Sequence, residues 1–222
     1  MKKYLTIRLL GAALLAASGT AQAGFTFQAL LTSDQEVPIN TVPFQGSSGI
    51  AIFVLNDAMT RLTYDVQLTG LDLRGVTNGG PFQAIPGDTD VNDNVTRMHI
   101  HRNVAGLNGN IVFGMIDALA TLRDDLNDLL VDAQNLRVTG AWDLTEGSLV
   151  AGQVTNLGNE LNNLLAGGLY INVHTSDRPG GEIRGQILRV PEPGTLALLG
   201  LGLLGLLGSS SPAMRRRRTT AG

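Results

Sequence analysis

A two-residue rhythm constrains this chain most. In "TRLTYDVQLTG" the residues Leu62, Tyr64, Val66 and Leu68 alternate with polar neighbours. Successive side chains of a strand point to opposite faces, so a period of two predicts strands with one face on a core. "FTFQALL" sets Phe25, Phe27 and Ala29 against Thr26 and Gln28, and "NLRVTGAWDL" places Leu136, Val138 and Trp142 together, the Trp as core. "IAIFVLN" is apolar at both parities, which predicts a central strand covered on both sides. Turn-forming stretches such as "NDAMT" and "GLNGN" separate short strands at the spacing of an all-β sandwich.

Two segments break the rhythm. Leu119, Leu122, Leu126, Leu129 and Leu130 recur at helical spacing behind Asp117, a candidate N-cap, and predict a short helix over an open end of the sandwich. Leu157, Leu161, Leu164 and Leu165 predict a second helix that ends at Gly167 and Gly168. From Leu71 to Val95 the chain is rich in Gly, Pro, Asn and Asp and reads as a long surface loop. Asp88, Asp90 and Asn92 alternate there like the start of a calcium loop. The sharp-turn Gly and the bidentate Glu are missing at the right offsets, so a solvated loop is expected.

The chain has three histidines, and all fall in two strand-like stretches. "TRMHIHRNVAGLNGNIVF" puts Met98 and Ile100 on one face and Arg97, His99, His101 and Asn103 on the other. "LYINVHTSDRPGGEIRGQI" turns Ile171, Val173, Ile183 and Ile187 inward and Tyr170, Asn172, His174, Glu182, Arg184 and Gln186 outward. If the two stretches pair, three imidazoles meet on the outer face of a sheet with Glu182 and Arg184 nearby. Three neutral nitrogen donors suit copper or zinc with one position open. The other reading is that the rings bridge strands by hydrogen bonds to backbone, Asn103, Asn172 or Glu182.

"HIHRNVAGLNGNIVF", "GGLYINVHTSDRPGGEIRGQI" and the earlier "FQALLTSDQEVPINTVPFQGSSGIAIFVLN" resemble the CHRD domain, over about Phe25 to Val190. That family has limited similarity to copper/zinc superoxide dismutases. The resemblance implies a Greek-key, immunoglobulin-like sandwich with His99, His101 and His174 as copper ligands and Arg184 as an anion-guiding residue. With no fourth His to bridge two metals, no His for a zinc loop and no Cys for a structural disulfide, the chain departs from the dismutase pattern.

Both ends read as address labels. Residues 1–23 carry Lys2, Lys3 and Arg8, an apolar run from Leu9 to Ala17 and "AQA" before Gly24, the pattern of a signal peptide removed by signal peptidase. Residues 191–222 hold Pro191-Glu192-Pro193, an apolar run from Thr195 to Gly208 and Arg215, Arg216, Arg217 and Arg218. This tail resembles the PEP-CTERM sorting signal, which implies cleavage near the motif by an exosortase after transient membrane association. A spanning segment of about residues 195–214 is expected, with the Arg cluster cytoplasmic. The domain between, residues 24–190, would then be released to the cell surface or the extracellular matrix.

That domain carries nine Arg and no Lys against eighteen Asp and Glu, a net charge of −9, which repels nucleic acid and anionic membranes. No G-x-S-x-G elbow and no phosphate-cradling glycine loop occurs. The reading is therefore an exported, non-catalytic matrix module with extracellular polysaccharide or matrix proteins as partners, or alternatively a copper-dependent redox protein of dismutase type.

Overall fold

The computed structural model describes residues 24–39, 46–76, 81–117, 127–150 and 153–191, and Gly202. Twelve strands, one α-helix and a short 3-10 helix (Ser33–Gln35) make up the described elements. The strands are β1 (Phe25–Leu31), β2 (Ser48–Leu55), β3 (Arg61–Thr69), β4 (Val95–Arg102), β5 (Asn110–Ile116) and β6 (Leu130–Asp132), followed by β7 (Arg137–Asp143), β8 (Gly147–Val150), β9 (Gln153–Asn156), β10 (Leu169–Thr175), β11 (Ile183–Gln186) and β12 (Leu188–Arg189). The helix α1 (Leu157–Leu165) precedes β10.

The strands form a six-stranded sheet of order β12-β1-β2-β3-β7-β6 and a four-stranded sheet of order β11-β10-β4-β5, with β8 and β9 as a separate hairpin. The expected sandwich is present. Phe27, Phe53, Leu62, Tyr64, Val66 and Trp142 of the first sheet are buried with Met98, Ile100, Phe113, Ile171 and Val173 of the second. Phe113 joins the layers, its ring stacked on Trp142 at 5.0 Å and edge-on to Tyr64 at 6.2 Å. A two-way backbone bridge between Thr32 and Arg184, at 3.0 and 3.1 Å, ties the end of β1 to β11 and closes one side.

The alternation is obeyed where it was cleanest: Leu62, Tyr64, Val66 and Leu68 of β3 are all buried. β2 differs from expectation. It lies between β1 and β3, yet only its Ala51, Phe53 and Leu55 face the core, while Ile50 and Val54 are exposed. A central place in a sheet covers a strand's edges, and one outer face of this sandwich stays open.

The helix expected from Leu119 to Leu130 is corrected at its end. Leu130–Asp132 is strand, paired with β7 through a turn in which Leu136 takes φ +52°; residues 118–126 lie outside those described. Asp117 is hydrogen-bonded to His99, and the helix it was expected to cap falls outside the described residues. α1 forms where the second leucine repeat predicts it, with Asn156 accepting from the Asn159 amide at 3.0 Å as its N-cap. Its buried Glu160 accepts from Arg102 Nε at 3.0 Å and also pairs with Thr155. That contact fixes the end of β4, the strand carrying two histidines. Among the described residues no helix is long and apolar enough to cross a membrane. The signal segment, nearly all of the expected spanning segment, Glu192, Pro193 and the four tail arginines lie outside them.

Candidate metal centre

β4 lies between β10 and β5, and the register sets Asn172 opposite His99 and Tyr170 opposite His101. His174 lies two residues beyond Asn172 on the same face of β10. The two distant segments therefore pair as neighbours, and the imidazoles converge, with ring centroids 5.1 Å (His99 and His174), 5.6 Å (His99 and His101) and 6.1 Å (His101 and His174) apart. One nitrogen of each lies within 4.8 Å of one from each of the others. Opposite His99 on β5 stands Gly114, which leaves the rings room.

The histidines do sit on the face away from the core, as alternation requires, but that face is covered. His99 is 1% exposed, His174 6% and His101 9%, and every residue of β10 is buried. Loops after β1, β4 and β10 make the cover, a feature that strand periodicity does not report.

Each ring spends one nitrogen on an orienting acceptor. His101 Nδ1 donates to the Gly109 carbonyl at 2.9 Å, and His174 Nδ1 to the Pro179 carbonyl at 3.0 Å. His99 Nε2 faces the Asp117 carboxylate at 2.5 Å. A carbonyl can only accept, so the Nδ1 of His101 and of His174 carries the proton and the Nε2 holds a lone pair. By the same logic Asp117 leaves the lone pair of His99 on Nδ1. Those three nitrogens, His99 Nδ1, His101 Nε2 and His174 Nε2, are buried and without a hydrogen-bond partner.

Burial also disfavours the charged form of His101 and His174. It pushes His101 down to about 4, aided by His99 and Arg184, and His174 down to about 3, aided by His99, His101 and Arg97. Neutral imidazole is the form that ligates metal.

Arg184 and Glu182 stand beside the cluster. The Arg184 guanidinium lies 3.4 Å from the Tyr170 ring centroid, and that ring stacks on His101 at 4.9 Å and 7°. Its nitrogens reach the carbonyls of Leu107 at 2.9 Å and Val104 at 3.3 Å and Asn108 Oδ1 at 3.4 Å, bracing the loop over the site. Glu182 accepts from Ser47 at 2.8 Å and Thr175 at 3.4 Å. Of the ring partners entertained from sequence, backbone is used, through the carbonyls of Gly109 and Pro179, while Asn103 and Asn172 are not. Asp117 is the partner the sequence reading missed, because an acid at a strand end reads equally as a helix cap. Asp88 is engaged by Asn94 at 2.8 Å and Arg74 at 3.4 Å. Among the described residues the three histidines are the one group of three or more His, Cys, Asp or Glu placed to share an ion.

A two-sheet sandwich with a covered trio of histidines on one layer is the class of protein seen here. The family model described as the CHRD domain matches residues 27–187, which takes in all three histidines, and the chain belongs to that family. No curated protein and no solved structure gives a significant match.

Proposed function

We propose that this CHRD domain binds one transition-metal ion, copper or zinc, through His99, His101 and His174, and acts as an exported, non-catalytic module of the cell surface or biofilm matrix. The observation that carries the metal reading is the convergence of three buried imidazoles, each with one nitrogen oriented by an acceptor and the other bare. Leaving a buried polar atom unpaired costs about 1–3 kcal/mol. Three such atoms aimed together are economical only if something fills the space between them. A bound ion would supply positive charge and a strong bond to each lone pair there. Asp117, Gly109 and Pro179 would hold the rings in the ligating tautomer, as partners of metal-bound histidines do.

Burial of the rings favours a structural or storage role over turnover. The remaining reading is a copper-dependent redox protein on a dismutase-like Greek-key frame, favoured by a donor set of three nitrogens with one position open. Export rests on the signal-like residues 1–23. Sorting by an exosortase, with passing membrane association and release near Pro191, Glu192 and Pro193, rests on the tail ending in Arg215, Arg216, Arg217 and Arg218.

The test is to strip the purified protein with chelator, titrate copper and zinc by calorimetry, and assay superoxide decay alongside His99→Ala and His174→Ala. One ion per chain, lost in both variants and with no superoxide decay, supports the proposal. Decay that depends on copper and on both residues establishes the redox reading, and no binding refutes both.

A further inference from the structure

An ion bound by covered histidines has to cross the loops above them. Two cavities open there. The larger, about 490 Å³, lies between Glu36–Ile39, Asn108 and the turn from Asp177 to Gly181. The smaller, about 370 Å³, lies on the other side of Glu36–Ile39 and is bounded by Arg184. Glu36 lines both. The smaller runs up against a guanidinium, which repels cations. The larger shares Pro179 with the hydrogen bond that orients His174.

We propose that Glu36, backed by Asn172, is a transit site where a divalent transition-metal ion rests between the larger cavity and the three histidines. This rests on the metal-binding reading above. Glu36 is only 4% exposed, and its Oε2 accepts from Asn172 Nδ2 at 3.3 Å. Its Oε1 is buried without a partner, and so is Oδ1 of Asn172. Adjacent bare oxygens are hard donors that hold such an ion more weakly than three imidazoles, so the ion moves inward. Asn172 stands across from His99 in the strand register, which makes it the neighbour of a ring on the same face.

The route also depends on a missing side chain. Gly181 has φ +140°, and a Cβ there would lie 2.5 Å from Glu36 Oε2 and 2.8 Å from Asn172 Nδ2. At the mouth Arg178 is paired with Asp177 at 3.1 Å and Arg97 is bound to the Pro179 carbonyl at 3.2 Å.

The experiment follows zinc uptake by the metal-stripped full chain in stopped flow, with a chromophoric chelator as zinc donor, beside the equilibrium affinity. Glu36→Gln is expected to slow uptake at least fivefold and leave the affinity within twofold of wild type. Glu36→Asp should recover part of the rate. Asp34→Asn, which removes an exposed charge from the same segment, should change neither. Glu36→Gln loading as fast as wild type overturns the transit site, and so does a parallel loss of affinity and rate, which would make Glu36 part of the final site or its scaffold. A wild-type protein that takes up no zinc overturns the metal reading and the transit site together, whereas normal wild-type binding with an unaltered Glu36→Gln rate overturns the transit site alone.

Discussion

Acidification of the metal-free protein below about pH 6.5 should act on its stability through two buried histidines, His101 and His174. Burial holds His101 near 4 and His174 near 3 in the folded state, against about 6.5 for an unfolded chain. The folded values are the lower ones, so the unfolded chain takes up protons first and stability falls as pH drops below about 6.5. Each such ring contributes a slope of roughly 1.4 kcal/mol per pH unit until its folded value is reached. At pH 4.5 that amounts to about 2–3 kcal/mol per ring and about 5 kcal/mol for the two; Glu36, which burial pushes up to about 7, takes its proton in the folded state first and offsets about 3 kcal/mol of this. Urea unfolding of the chelator-treated protein at half-unit steps from pH 7 to 4.5 measures this directly. In a Glu36→Gln background, which removes that offset, replacing His101 and His174 together by Gln should flatten most of the slope. In the same background with both rings kept, a stability that stays constant across the window would refute the claim that these rings are buried and neutral.

Two other perturbations separate the orienting groups from the cover. Asp117→Asn should keep the fold, by circular dichroism, while weakening metal affinity roughly 10- to 100-fold, because an amide no longer obliges His99 to present Nδ1; calorimetric titration reads the change. Arg184→Met should lower stability by about 2–4 kcal/mol, since it strips a charged donor from two loop carbonyls and the cation from the Tyr170 face. Hydrogen exchange should then rise in residues 103–109 and leave the Phe113–Trp142 core protected.

Much of this molecule can be read from its strands, and the reasons it stops being legible are physical. Alternation places Met98, Ile100, Ile171 and Val173 in the core, and with them the histidines on the opposite face, because the period of an extended chain leaves no other choice. It leaves open whether the two histidine segments pair; the register joins them. Alternation describes only which side a residue faces, however, and carries nothing about what lies over that side. The cover over the histidines comes from loops whose course depends on single long-range contacts, such as Arg184 to the carbonyls of Val104 and Leu107. The same limit explains Ile50 and Val54, whose apolar character suggested a covering layer that the sandwich does not have. Asp117 shows a second limit: its role depends on a short contact with His99 across irregular β4–β5 pairing, where the register shifts twice. Leu130–Asp132 shows a third, since the last leucine of the helical repeat is taken into a strand paired with β7.

Binding of one ion here requires His99 Nδ1, His101 Nε2 and His174 Nε2 to point at a common centre. Long-range ¹H–¹⁵N spectra of the imidazoles during a zinc titration test this most directly. The expected result is that these three nitrogens shift together and saturate at one ion per chain, while His99 Nε2 and the Nδ1 of His101 and His174 keep their protons. Zinc that leaves all six ring nitrogens unmoved, or that shifts the opposite nitrogen of any ring, would contradict it.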